Sequence, residues 1–166
     1  MHKDLVNELE TTNNSLLEIL ASFPEEQFNK SPYEGSWTPA QVGQHLFKSD
    51  LGLLKLLNSP AKPVDRAPDQ YVQHSRDLFL NFEKKFDAPG FIIPENRKYD
   101  QAEMLQHLQQ SRTRLHEALE TLDLSQMPEV NETPLKGSTR LELGYFILYH
   151  TQRHIHQLKN IATLLK

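Results

Sequence analysis

The chain contains no cysteine. That excludes a disulfide framework, a thiolate nucleophile, an iron–sulfur cluster and any Cys-ligated zinc. Any metal must therefore be held by His, Asp or Glu. A continuous apolar run is also missing: no segment approaches the roughly 20 residues needed to cross a bilayer. The first residues, Met-His-Lys-Asp-Leu, lack the apolar core of a secretory signal, so the cytoplasm is the expected compartment and no membrane partner is expected. Positive charge is scarce as well. Eighteen Lys and Arg face 22 Asp and Glu, for a formal charge of −4, whereas a nucleic-acid binder normally carries a basic face. Lys84-Lys85 reads as a solvated patch, and no nucleic-acid partner is expected.

What remains is an all-α pattern in one domain spanning residues 1–166, long enough to bury a full core. Leu5, Leu9, Leu16, Ile19, Leu20 and Phe23 trace an amphipathic helix that ends before Pro24. A second begins at Thr38-Pro39-Ala40-Gln41, with Thr38 as N-cap, Pro39 in the first helical position and Gln41 completing a capping box. Its stripe is Val42, His45, Leu46, Leu53, Leu56 and Leu57, and Pro60 closes it. Asp100 and Glu103 open a third helix that buries Leu105, Leu108, Leu115, Leu119 and Leu122. Thr139 and Glu142 open the last, which runs about 36 Å if it reaches Leu165. Residues 58–100 are too long for a tight connection and predict a crossover with a short helix over 76–86. Such a crossover lets the second and third helices run parallel, in an up-up-down-down or related order.

His150 and His154 lie four residues apart in the apolar stripe Leu143, Ile147, Leu158, Ile161 and Leu165. Four helical residues advance about 6 Å and rotate about 40°, so both imidazoles leave one face. His45 sits mid-helix in the second stripe. Where the two mid-helix levels coincide, three neutral imidazoles can converge on one cation with positions left open, the pattern of a catalytic rather than a closed structural metal site. A His-x-x-x-His pair alone is weakly specific, and a lone stripe histidine is commonly a hydrogen-bonded core residue. His2, His74, His107, His116 and His156 fall in the terminus, the crossover or off the main stripes and read as surface residues, with His74 alternatively bordering a pocket.

Thr12 on the first helix, and Ser111 and Arg112 on the third, also interrupt apolar stripes near their centres. Polar groups in a dry core are costly, so a polar level in every helix predicts a wet cavity. Pocket candidates are Arg112, Arg153 and Gln157: Arg112 also fits ordinary snorkelling, Arg153 reads as a surface salt bridge or an anchor for an anionic group, and Gln157 as a group orienting a ligand or a contact with the neighbouring helix. Trp37 reads as a lid on the bundle end, and Tyr145 and Tyr149 as packing. Asp50 lies about 140° off the His45 face, so no general base is evident.

Gly35-Ser36-Trp37-Thr38 leading to Gln44-His45-Leu46, together with His150-Thr151-Gln152-Arg153-His154-Ile155-His156-Gln157-Leu158, resembles the DinB-like superfamily. Thr133-Pro134-Leu135-Lys136-Gly137-Ser138 and Phe91-Ile92-Ile93-Pro94 add to the likeness, which covers essentially the whole chain. The resemblance implies an up-down-down-up four-helix bundle with a divalent metal on His45, His150 and His154. Similar proteins include transferases that use bacillithiol or mycothiol and a mycothiol-dependent isomerase.

The expected function is a metal-dependent enzyme, a low-molecular-weight-thiol S-transferase acting on electrophilic small molecules. A hydrolase built on the same three ligands is the chemical rival. A non-catalytic metal- or small-molecule-binding stress protein, or a structural helical module, are the other readings. Zinc, nickel, iron and copper all suit three imidazoles. A homodimer fits bundles of this type.

Overall fold

The computed structural model describes residues 2–166 and is mostly helical. Helices are α1 (His2–Ser22), α2 (Glu25–Phe28), α3 (Pro39–Leu57), α4 (Val72–Phe79), α5 (Gln101–Thr121) and α6 (Arg140–Leu165). None is long and apolar enough to cross a membrane. The start signals act as their chemistry requires. Thr38 accepts from the Gln41 amide while the Gln41 side chain accepts from the Thr38 amide, and Thr139 and Glu142 form the same reciprocal pair. Asp100 caps α5 through the Glu103 amide.

The long helices α1 and α3 each pack against both α5 and α6. The α3–α5 contact is close, since a Cβ on Gly43 would meet Met104 Cγ at 3.1 Å. Buried apolar side chains fall into two groups. Leu5, Leu9, Leu53, Leu57, Leu115, Leu119, Leu143 and Leu148 belong to one. Leu16, Leu20, Val42, Leu46, Met104, Leu108, Ile155 and Leu158 belong to the other. Between them, every long helix contributes buried polar residues: Thr12 from α1, Ser49 and Asp50 from α3, Ser111 and Arg112 from α5, and His150, Thr151 and His154 from α6. The expected polar level is therefore a layer that divides the core. The stripe of α5 differs in detail from expectation. Met104 and Ala118 are buried, whereas Leu105 and Leu122 are only partly covered.

Further features, the short α2 among them, depart from the sequence reading. Ala61–Lys62 (β1) pairs antiparallel with Met127–Pro128 (β2), tying the start of the crossover to the α5–α6 connection. A two-residue strand leaves no periodicity to detect. The crossover helix lies at Val72–Phe79, earlier than the expected 76–86. It stops because the Arg153 guanidinium on α6 donates to the carbonyls of Phe79, Asn81 and Lys84, which a continuing helix would not allow. Beyond it the crossover is fastened by Lys48, which donates to the Ile93 carbonyl and pairs with Glu95.

Candidate metal centre

His45, His150 and His154 meet inside the helical core. His150 and His154 are one turn apart on α6, and His45 faces them from the middle of α3. The Nε2 atoms of His45 and His150 are 3.2 Å apart, and those of His154 and His150 are 3.1 Å apart. One ring nitrogen from each residue lies within 4.8 Å of the other two. All three rings are buried to within a tenth of their surface.

The far side of two rings decides what the near side offers. His45 Nδ1 is 2.9 Å from the Ile92 carbonyl, and a carbonyl can only accept, so Nδ1 carries the proton and Nε2 presents a lone pair. His154 Nδ1 lies 2.8 Å from Gln157 Oε1, which fixes the same tautomer. Two lone pairs thus point toward His150 Nε2, which has at most one proton to give. This donor set suits a cation better than it suits the three rings alone. Tetrahedral coordination at about 2.0–2.1 Å per nitrogen separates ligand nitrogens by about 3.3 Å, close to the separations seen.

Electrostatics keep the rings neutral. Burial pushes His154 down to about 3, helped by His45 and opposed by the Gln157 hydrogen bond. Burial and then the neighbouring His154 and His45 hold His150 well below the ordinary histidine range. Burial also lowers His45, against the upward pull of the Ile92 carbonyl. Neutral rings are the ligating form.

Aromatic side chains pack round the triad. Trp37 lies 5.0 Å from the His45 ring, so it borders the candidate site instead of merely closing the end of the helices. Phe146 stacks on His150 at 5.1 Å, and Phe79 meets the same ring edge-on at 6.1 Å. The crossover lies over the triad at Ile92. Surface hollows occur instead beside Arg76, Asp77, Leu80 and Asn81, and beside Asn7, Glu8, Thr11, Thr12 and Gln152; neither includes one of the three histidines.

The three pocket candidates behave differently. Gln157 Oε1 accepts from His154 Nδ1. Arg153 spends its guanidinium on the three crossover carbonyls and the face of Phe86, so it is neither a surface salt bridge nor a free anion anchor. Arg112 does not snorkel. It is buried, donates from Nε to Asp50 Oδ2 at 2.9 Å, and reaches Thr151 Oγ1 at 2.5 Å and Asn13 Oδ1 at 3.2 Å. Ser111 adds a 2.5 Å bond to the same Asp50 oxygen. Asp50 itself is fully buried; burial pushes its carboxyl up and Arg112 pulls it down.

Sequence reasoning passed over Asp50 because it leaves α3 away from His45, toward α5. Its signal was the pairing of an off-stripe acid with an on-stripe arginine. Ile92 acts through a backbone carbonyl and left none. His74 is exposed on α4, apart from the triad, and His156 stacks on Phe82 at 4.0 Å.

No solved structure matches this chain. It is similar to the uncharacterized protein YuaE of Bacillus subtilis (strain 168), with 26% identity over 159 residues that cover 92% of this chain and 91% of the relative. The family model of the DinB superfamily matches residues 8–158, a span that holds all three histidines, the buried Asp50–Arg112 pair and the crossover. The chain belongs to the DinB superfamily.

Proposed function

We propose that this chain is a metal-dependent enzyme that transfers a low-molecular-weight thiol to an electrophilic small molecule, with His45, His150 and His154 as its metal ligands. The observation that carries the reading is the convergence of three buried imidazoles, two of them locked so that Nε2 faces inward. A bound divalent cation such as zinc, nickel or iron would supply Lewis acidity, lowering the pKa of a coordinated thiol or water toward neutrality. The chain's own contribution is positional. Ile92 and Gln157 fix two ring tautomers, and the aromatic wall of Trp37, Phe79 and Phe146 limits water around the donors. With no cysteine in the chain, a thiol nucleophile has to arrive with the co-substrate.

The fold belongs to the same proposal: the four long helices form an up-down-down-up bundle. Asp50 on α3 reaches Ser111 and Arg112 on α5, seven residues after Gly43 meets Met104, which supports a parallel pair. His2 meets Leu119 and Gln101 meets Leu20, which supports α1 antiparallel to α5.

The test is conjugation of a thiol to a halogenated electrophile by metal-loaded protein, compared with His45→Ala. Turnover that needs both metal and thiol and is lost in the variant is expected. Equal rates in the two proteins would remove the transferase reading, and turnover without thiol would replace it with hydrolysis.

A further inference from the structure

The polar layer contains one ion pair and two buried polar atoms without a partner. Among the described residues, the buried Asp, Glu, Lys and Arg side chains are Asp50, Arg112, Arg140 and Glu142. Arg140 and Glu142 lie in the first turn of α6, where Arg140 donates to the Leu57 and Ser59 carbonyls and Glu142 pairs with Arg66. Only Asp50 and Arg112 lie in the layer that holds the histidines. Asp50 Oδ2 takes both donors, Arg112 Nε and Ser111 Oγ, while Oδ1 is buried with no partner. The adjacent Ser49 Oγ, one turn beyond His45 on the same face, is also buried without a partner. A carboxylate oxygen left bare in a core is costly, and natural cores rarely keep one without a use.

Arg112 makes the need specific. Its Nη1 bonds Thr151, the residue after His150, so a full positive charge sits beside the triad. Three neutral imidazoles bring no negative charge. In a poorly screened interior, a divalent cation at the rings would meet the repulsion of Arg112 with nothing to offset it except Asp50.

We infer that Asp50 is a positioning residue for the triad, supplying the counter-charge that allows a divalent cation into the polar layer beside Arg112. This rests on the metal reading of the three histidines, and the experiment separates the two. Zinc affinity is measured on the full chain, without a His tag, by competition with a chromogenic chelator near pH 7.5, with the fold checked by circular dichroism. Wild-type protein that takes up no zinc would overturn the metal reading before any variant is made. Given tight wild-type binding, D50N is expected to weaken zinc by about tenfold or more, the scale of an outer-shell ligand partner. R112Q is expected to bind at least as tightly as wild type, and D50N/R112Q to return toward the wild-type value. A packing role would move D50N and R112Q in the same direction and leave the double variant weakest. An unchanged affinity in D50N, or a tenfold loss in R112Q, would overturn the inference. If D50N does not fold, R112Q still decides the sign. Cobalt(II) absorption bands should keep their shape in every folded variant because no ligand is altered; a changed band shape would mean that the ligand set is disturbed, and would also overturn it.

Discussion

Acidifying the metal-free protein from about pH 7.5 to pH 5 should destabilise it by an amount set by the buried rings. Burial holds His154 down at about 3 and His150 well below the ordinary histidine range. In the unfolded chain both rings take up protons near pH 6.5. Between those values the unfolded state binds more protons than the folded one, so stability rises with pH and falls as pH drops. A ring such as His154 that stays neutral costs about 2 kcal/mol at pH 5, against a total of about 5–15 kcal/mol for an ordinary domain, and His150 adds in the same direction. His45, also lowered by burial, adds to this slope, whereas the acidic groups do not imitate it. Hydrogen bonds to Lys48 and to Ser125 hold Glu95 and Asp123 low, and Arg66 and the α6 cap do so for Glu142 against the cost of burial. Stability from these carboxylates is lost only as pH falls through and below their ordinary range. Asp50, raised by burial, works with the opposite sign because the folded chain takes its proton first. Urea unfolding with chelator at steps between pH 7.5 and 5, in wild type and His154→Leu, isolates the effect. Wild type should lose stability progressively, and the variant should lose about 2 kcal/mol less over the same interval. A flat wild-type curve, or parallel curves for the two proteins, would refute the neutral-ring reasoning.

Gln157→Leu should leave the helix intact but free the His154 tautomer, weakening zinc by about ten- to a hundredfold in a chelator competition, with a smaller effect on thermal stability. Arg153→Ala releases the three carbonyls that pin the crossover, so trypsin should cut after Lys84 or Lys85 faster than in wild type while far-ultraviolet circular dichroism stays unchanged. Leu148→Ala empties a fully buried position in one half of the core and should cost about 2–5 kcal/mol in urea unfolding; a loss within experimental error would mean that the site is not packed as described.

Local signals were read well where one side chain answers a nearby backbone group. The boxes at Thr38 and Thr139 and the cap at Asp100 depend on atoms three residues apart, and each forms. The two stripes brought His45, His150 and His154 to the same depth, because a buried imidazole repeated at helical spacing leaves little choice of face. Less legible was whatever depends on long-range docking. The crossover helix ends where Arg153 collects its carbonyls, a guanidinium some seventy residues away in the chain. Arg153 itself reads as a surface salt bridge or an anion anchor, since nothing near it in sequence reveals those carbonyls. Asp50 is set aside as a general base because stripe reasoning asks only about the His45 face, whereas α5 buries another side of α3. Trp37 reads from sequence as a lid on the bundle end, yet the loop before α3 turns it back onto His45.

The most direct test is metal content and coordination in untagged protein purified and then equilibrated with zinc. The account predicts about one ion per chain, bound through three imidazole nitrogens by X-ray absorption, and lost when His45, His150 and His154 are replaced together by alanine. A protein that binds no ion, or one whose triple variant binds zinc as wild type does, would contradict it.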